Sequence, residues 1–215
     1  EPIYETVRKT RAMIDDRVSM LGFAGSPWTV ATYMIAGEGS KDQGAARLLA
    51  YRDPARMQAI CDAIADVSIT YLRGQIDAGA EAVQLFDSWS GSLAPDEFER
   101  WVVAPNAKIT AAITHSHPDT PVIGFPKGAG AKLPAYARET GVDAVGLDET
   151  LDPHRAHASL PDGMPVQGNL DPLLVEAGGP ELPQRCKTIL DAFEDSPHVF
   201  YLGHGIGQFT PIARV

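Results

Sequence analysis

The sequence predicts an α/β fold, a (β/α)8 TIM barrel in which about six of the eight β/α units are present. Three observations lead to it. Short apolar runs alternate with segments of helical periodicity, the pattern of parallel strands joined by crossover helices. Small and polar residues follow the strands, as at the catalytic face of a barrel. The 215 residues fall short of the roughly 250 of a closed barrel, so a doubly wound open sheet is the competing architecture.

The first half of the chain supplies two predicted strands, over residues 18–23 and 81–86. A short helix over 28–36 follows the turn at 24–27, and a long helix leads into the second strand. Asp53 and Pro54 provide an N-cap and a proline at the first helical position. Apolar residues then recur at intervals of three and four, which predicts a helix: Met57, Ile60, Ile64, Val67 and Tyr71.

The second half repeats the alternation with four further predicted strands. Proline marks the starts of the helices in this half, and in two of the five it follows an aspartate. The predicted strands cover residues 121–125, 142–147, 164–168 and 198–202, and helices begin near residues 95, 133, 152, 171 and 180. No linker separates them, so we predict a single barrel domain over residues 1–215.

Composition excludes several classes of protein. The formal net charge is −10, whereas a nucleic-acid binder is expected to carry clustered positive charge. No apolar run reaches the roughly 18–20 residues that span a bilayer, and the start has no signal-peptide pattern. Two cysteines, Cys61 and Cys186, exclude a disulfide framework and fit the reducing cytoplasm.

Three residues near strand ends are candidates for binding or catalysis. His204 lies between two glycines after the last strand and could contact an anion or donate a proton; it could equally be a histidine satisfied within a tight turn. Ser88 follows Asp87 at another strand end, where Ser88 could bind a carboxylate and Asp87 could be a base or a partner. The alternative is that the two residues form a capping turn. No Gly-x-Ser-x-Gly elbow surrounds Ser88, which argues against a serine hydrolase. Tyr33 could meet a ligand or belong to the core.

Metal and dinucleotide sites are not predicted. His115 and His117 form a short pair without a suitably spaced third ligand. The stretch Gly128-Ala-Gly130 lacks the third glycine of the dinucleotide fingerprint, since Leu133 occupies that position. The residues alone therefore predict neither a metal site nor a dinucleotide site.

Six segments, in this order, resemble the signature stretches of the uroporphyrinogen decarboxylase family. The first is long and the last is unusual, so chance is a poor explanation. The six segments are Gly22-Phe-Ala-Gly-Ser-Pro-Trp-Thr-Val-Ala-Thr-Tyr33-Met-Ile-Ala-Gly37, Gln84-Leu-Phe-Asp-Ser88-Trp, Gly124-Phe-Pro-Lys-Gly128, Val145-Gly-Leu-Asp148, Gln167-Gly-Asn-Leu-Asp-Pro172 and Leu202-Gly-His-Gly205.

The resemblance implies a (β/α)8 barrel, a homodimer at full length, and a deep cleft at the carboxyl ends of the strands. It implies stepwise removal of CO2 from the four acetate side chains of uroporphyrinogen, giving coproporphyrinogen without metal or cofactor. Tyr33, Ser88 and His204 correspond to positions that contact substrate in the family, and Phe86 corresponds to an aromatic residue lining the cleft.

Two departures accompany the resemblance. The family's Arg-Gln-Ala-Gly-Arg segment and its catalytic Asp do not occur in this sequence, and we expect both before Glu1. We also expect the family's final helix beyond Val215, so the domain is truncated at both ends and these 215 residues alone should not turn over substrate. In addition, Tyr201 stands where the family has Asn, and a larger aromatic there could repack the last strand.

Two other functions stay open. A corrinoid-dependent methyltransferase of the same fold would bind zinc through a His-x-Cys pair and a later Cys, whereas the strand ends here carry no Cys. A non-catalytic tetrapyrrole-binding remnant is the other alternative.

Overall fold

A computed structural model describes residues 1–40 and 42–214. The chain divides into two compact units, residues 1–143 and 144–215. Each unit contains three parallel strands in sequential order with helices between them. No helix in the described ranges is both long and apolar enough to cross a membrane. The units do not test the prediction of a single domain over residues 1–215, which stays a prediction.

The first unit is an alternation of strands and helices that begins and ends with a helix. Its strands β1, β2 and β3 pair side by side in parallel. The elements are α1 Pro2–Met13, β1 Leu21–Gly25, α2 Pro27–Ala36, α3 Gly44–Arg52, α4 Pro54–Asp77, β2 Ala82–Asp87, α5 Pro95–Phe98, α6 Ala104–Ser116, β3 Val122–Pro126 and α7 Leu133–Glu139.

Helix α4 forms the central helical support of this unit. The Asp53 side chain accepts a hydrogen bond from the Arg56 amide, as the predicted N-cap requires. The periodicity identified the helix, but only part of the periodic set is buried: Met57 and Ile64 are buried, whereas Val67 is 68% exposed. The buried residues of the helix include a thiol and two polar side chains: Met57, Cys61, Ile64, Ala65, Ser68, Ile69, Leu72 and Gln75.

The helical segment predicted from residue 95 towards His115 contains a π-helical turn at Glu99–Val103 between α5 and α6. Pro105 has no amide hydrogen and cannot donate to the carbonyl four residues earlier. The wider turn accommodates that missing hydrogen bond. It also buries Trp101, whose indole Nε1 donates to Glu97 Oε2.

The second unit contains the last three strands. β4 pairs with β5 and β5 pairs with β6, both in parallel. Asp152 and Asp171 cap the helices that follow β4 and β5, because their side chains accept hydrogen bonds from the amides of Arg155 and Leu173. The elements are β4 Ala144–Gly146, α8 Pro153–Ser159, β5 Val166–Leu170, α9 Pro172–Ala177, α10 Glu181–Ala192 and β6 His198–Leu202.

The predicted strands are all present, but several boundaries differ. The strand predicted over 18–23 begins at Leu21, where pairing with Ala82 starts, and continues to Gly25. The strand predicted over 164–168 runs from Val166 to Leu170, while β4 is shorter than predicted. Helices α1 and α3 were not predicted, and α1 buries a single residue, Val7.

Candidate active site

The carboxyl end of β2 carries the largest set of predicted site residues. Phe86 and Asp87 are the last two residues of the strand, and Ser88 follows directly. Because side chains alternate along a strand, Phe86 is half-buried while Asp87 points the other way and is fully buried. Ser88 is half-buried. Two predicted binding residues, Phe86 and Ser88, thus lie one residue on either side of a buried carboxyl group.

Helix α2 is tied to this strand end by a short hydrogen bond. Thr29 Oγ1 donates to Asp87 Oδ1 at 2.5 Å, and both side chains are buried. The same hydroxyl oxygen accepts a hydrogen bond from the Trp89 amide at 3.2 Å. The indole Nε1 of Trp28 donates to the Trp89 carbonyl, also at 3.2 Å. Helix α2 therefore holds the segment after β2 through three hydrogen bonds.

Tyr33 lies one turn beyond Thr29 on the same helix and is 45% exposed. Its ring meets the ring of Trp89 edge-on, with the centroids 6.2 Å apart. The alternative that Tyr33 belongs to the core is wrong for this structure, because a core tyrosine would be buried. Its hydroxyl is available to a ligand beside the segment that carries Ser88.

An aromatic row runs across the three strands of the first unit. Phe23 on β1, Phe86 on β2 and Phe125 on β3 meet edge to face, with neighbouring centroids 5.9 Å apart. Phe23 is exposed, whereas Phe125 is buried. The row offers an apolar surface at the strand ends next to the hydroxyl groups.

The loops after β2 and β3 are joined through their backbones. Ser90 Oγ donates to the carbonyls of Asp87 and Lys127, both at 3.0 Å. Gly91 and Gly128 approach so closely that a Cβ added to Gly91 would lie 2.7 Å from the Gly128 oxygen. A side chain at position 91 would separate the two loops.

Burial gives Asp87 unusual acid–base properties. Removal from water disfavours the carboxylate and raises the pKa of Asp87 to about 7, although hydrogen bonds from Thr29 and Asn106 act in the opposite direction. The Asp87 charge also contributes to the raised pKa values of two groups packed near it. Burial is the larger cause for both, and it raises the pKa of Cys61 on α4 to about 12 and that of Tyr136 on α7 above its ordinary value.

The second unit holds the remaining predicted residue, His204, which lies two residues beyond β6 and is exposed. The preceding Gly203 is buried, and its amide donates to the Leu170 carbonyl at 2.7 Å. A Cβ on Gly203 would lie 2.2 Å from the Glu149 amide nitrogen. Glycine is therefore required where the β6 end passes the β4 loop.

A buried polar group supports the β4 and β5 ends in the same unit. Asn169 Nδ2 donates to the carbonyls of Asp148 and Leu151, at 2.9 and 2.8 Å. Asp148 accepts hydrogen bonds from the amide and hydroxyl of Thr150. These contacts fix the β4 loop that passes Gly203.

Tyr201 does not repack the interior of its unit. Its side chain is 52% exposed, and its position pairs with Asn169 across β5 and β6. The larger aromatic is accommodated at the surface of the unit.

The structure brings Tyr33, Phe86 and Ser88 to one end of the first unit, and places His204 at a strand end of the second. Sequence reasoning did not single out Phe23 and Phe125. A usable signal was present, since each of the three phenylalanines occurs within two residues of the end of a strand. Within residues 1–40 and 42–214, no three His, Cys, Asp or Glu side chains are grouped so that they could hold a metal ion.

Comparison with solved structures and sequence families defines the class of protein. A methyltransferase from Methanosarcina mazei superposes with a TM-score of 0.83 over 99% of this chain and 60% of its own, at 16% identity. With the parallel β/α alternation, this shows a partial (β/α)8 barrel fold. The family model for uroporphyrinogen decarboxylase (URO-D) matches residues 1–215. The chain belongs to the uroporphyrinogen decarboxylase family.

Proteins named uroporphyrinogen decarboxylase are similar to this chain throughout its length. The one from Erythrobacter litoralis is 67% identical over 215 residues, and the one from Novosphingobium aromaticivorans is 66% identical over 214. A third, from Rhizorhabdus wittichii, is 64% identical over 215. The chain spans 63%, 63% and 62% of the lengths of these relatives.

Proposed function

We propose that this protein is a uroporphyrinogen decarboxylase, a carboxy-lyase that converts the four acetate side chains of uroporphyrinogen to methyl groups and so forms coproporphyrinogen. The observation that carries the proposal is the family match over residues 1–215, together with 67% identity to a relative of that name. The 16% identity to a methyltransferase concerns the fold alone and does not favour methyl transfer.

The chemistry requires orientation of the substrate and supply of protons. Protonation of an electron-rich pyrrole carbon beside the acetate lets the ring accept the electron pair released when the bond to CO2 breaks. A second proton then completes the methyl group, and the carbon protonated first loses its proton. Each acetate therefore consumes one proton and releases one CO2, and the pyrrole serves as the electron sink without a metal or cofactor. The protein's task is placement and proton transfer.

The site at the β2 end suits the placement of such a substrate. Its rings need an apolar surface, and the aromatic row containing Phe86 provides one. Its eight carboxylates need donors. The Tyr33 ring contacts Trp89 and Ser88 precedes Trp89 in the chain, so each residue can supply a hydroxyl group near this segment. His204 is a further proposed donor to a carboxylate of the substrate. Local donors are needed because the chain as a whole is acidic, at −10, although charges beyond roughly 8–10 Å are screened at physiological salt.

We further propose that the protein works in the cytoplasm as a homodimer and does not bind nucleic acid. Both cysteines are free thiols, Cys61 buried and Cys186 partly exposed, which fits a reducing compartment. The dimer follows from the family resemblance and is tested by light scattering on the product of the complete reading frame that contains this chain.

The assignment of site residues is tested by decarboxylation kinetics on that complete product. Tyr33→Phe should cost about 1–3 kcal/mol of transition-state stabilisation, because a buried carboxylate loses its donor. Ser88→Ala should lead to accumulation of partly decarboxylated intermediates, whereas His204→Asn should keep substantial activity because the amide still donates. If Tyr33→Phe and Ser88→Ala both leave the rate and the intermediates unchanged, the site assignment is wrong. Absence of decarboxylation by the wild type would overturn the proposed function itself.

A further inference from the structure

The hydroxyl group of Thr29 occupies a junction between the two elements that carry the proposed substrate contacts. It donates to Asp87 Oδ1 and accepts from the Trp89 amide. These two partners flank Ser88 in the chain. Tyr33 lies four residues beyond Thr29, on the same face of α2, and its ring contacts Trp89. One side chain thus connects the helix of Tyr33 with the residues on either side of Ser88.

We propose that Thr29 and Asp87 are positioning residues, a hydrogen-bonded pair that sets the separation between the Tyr33 and Ser88 hydroxyls. The proposal rests on the proposed function, because it assigns those hydroxyls to substrate carboxylates. Neither Thr29 nor Asp87 needs to touch the substrate, and both are buried.

Further hydrogen bonds hold the start of α2 against the end of β2 and against the segment after it. The amide of Ser26, which precedes α2, donates to the Phe86 carbonyl at 2.8 Å. Trp28 is fully buried and its indole holds the Trp89 carbonyl. Without the Thr29 hydroxyl, these flanking contacts remain, but the Trp89 amide and the Asp87 carboxyl each lose a partner. We therefore expect a small displacement of the Ser88 segment rather than loss of the fold, and a displacement of about 1 Å can cost a large factor in rate.

The pair can act as a positioning device in either protonation state of Asp87. Its Oδ1 accepts the Thr29 hydrogen whether Oδ2 is ionised or protonated, and the raised pKa of Asp87, about 7, places both forms near neutral pH. The titratable groups that respond to its charge are Cys61 from α4 and Tyr136 from α7. The raised pKa values of both groups keep them neutral near pH 7. Asn106 from α6 supplies the other polar contact.

Five variants separate positioning from proton transfer and from simple loss of stability, and the fifth is Asp87→Ala, which removes the carboxyl group. Thr29→Val removes the hydroxyl at nearly constant volume, and Thr29→Ser restores it. Thr32→Val is the matched control, because Thr32 is also buried on α2 but its hydroxyl donates to the Thr29 carbonyl within the helix, at 2.7 Å. Asp87→Asn keeps an acceptor oxygen for Thr29 and cannot ionise.

The variants are compared in the product of the complete reading frame that contains this chain, by kcat/KM for uroporphyrinogen at several pH values. We expect Thr29→Val to lower kcat/KM about tenfold, Thr29→Ser to recover most of it, and Thr32→Val to stay near wild type. Asp87→Asn should retain far more activity than Asp87→Ala. Equal losses in Thr29→Val and Thr32→Val would overturn the proposal, and so would loss of turnover in Asp87→Asn equal to that in Asp87→Ala.

A second readout does not depend on activity. The Trp89 amide donates to the Thr29 hydroxyl, so its hydrogen exchange should accelerate in Thr29→Val, return in Thr29→Ser and be unchanged in Thr32→Val. Unchanged exchange in Thr29→Val shows that the hydroxyl does not hold this segment, and the inference fails whatever the enzyme does. If exchange responds as expected but the wild type does not decarboxylate uroporphyrinogen, the proposed function is wrong. The hydrogen bond between Thr29 and the Trp89 amide is then confirmed, but the positioning role assigned to Thr29 and Asp87 fails together with the proposed function.

Discussion

The buried carboxyl group of Asp87 makes the stability of the protein depend on pH. Its pKa is about 7 in the folded protein because burial disfavours the charged form, against an ordinary value of 3.8. Between about pH 4 and pH 7 the folded protein therefore holds a proton that the unfolded chain has released. Stability from this group is greatest below about pH 4 and is lost as the pH rises towards 7.

The size of the effect follows from the two pKa values. The pKa of Asp87 differs by about 3 between the folded and unfolded states. This difference corresponds to a maximum change of about 4 kcal/mol in the free energy of unfolding. Between pH 5 and pH 7 the expected loss is about 2–3 kcal/mol. Asp87→Asn removes the titration and keeps an acceptor for Thr29. The variant should therefore gain stability relative to wild type by about that amount over this interval.

Urea unfolding of wild type and Asp87→Asn at half-unit steps from pH 5 to pH 8 measures this difference. Asp119→Asn is the control, because Asp119 is exposed in the loop before β3, and its difference from wild type should be flat. A difference between Asp87→Asn and wild type that is flat with pH, or that decreases as the pH rises, would refute the assignment of a raised pKa to Asp87.

Three further changes test the packing of the first unit. Gly124→Ala should destabilise the protein by about 1–3 kcal/mol in thermal or urea unfolding, because the new Cβ would lie 2.6 Å from the buried Tyr136 hydroxyl. Gly39→Ala is the control, because the nearest atom to its new Cβ among the described residues is 3.7 Å away. Equal effects of the two substitutions would contradict this. Tyr136→Phe should change stability by less than about 1 kcal/mol or increase it, since this hydroxyl has no hydrogen-bond partner among the described residues; a large loss would show otherwise. An apolar groove of about 670 Å³ between α2 and α4 should make the 215-residue chain bind a hydrophobic dye, and Val67→Lys should reduce that binding; absence of dye binding by the unsubstituted chain would contradict it.

Local sequence signals identified the elements but not their exact ends. Asp-Pro pairs located the starts of α4, α8 and α9 because the cap and the first helical residue are both encoded locally. The end of β1 was placed too early because Ala24 and Gly25 resemble a turn. Pairing with β2 keeps both in the strand, and pairing partners are distant in sequence.

Helix α4 shows that apolar periodicity predicts a helix but does not decide which of its apolar faces is buried. Two apolar stripes run along it, and the spacing of Ile60, Val67 and Tyr71 fits a helix as well as the buried stripe does. Only the position of β1 and α2 decides that these residues line the groove. The choice between two apolar faces is made by tertiary packing.

The candidate site was predictable where residues lie next to strand ends. Ser88 and His204 could be recognised in that way, and Tyr33 was a candidate from its place on the helix after the first strand. The family resemblance supplied Phe86. The connection between Thr29 and Asp87 could not be read from the sequence, because the two residues are 58 positions apart. The sequence marked Asp87 as a possible base or partner, with a turn residue as the alternative, but its burial depends on α2, α6 and α7 packing around β2.

The central claim is that this protein decarboxylates uroporphyrinogen. The most direct test incubates the product of the complete reading frame anaerobically with uroporphyrinogen in the presence of a chelator, without added cofactor, and measures CO2 together with the porphyrins recovered after oxidation. The account predicts four CO2 released for each coproporphyrinogen formed, with partly decarboxylated porphyrinogens as transient species. Unchanged uroporphyrinogen and no CO2 from a folded protein would contradict it, as would activity that the chelator abolishes.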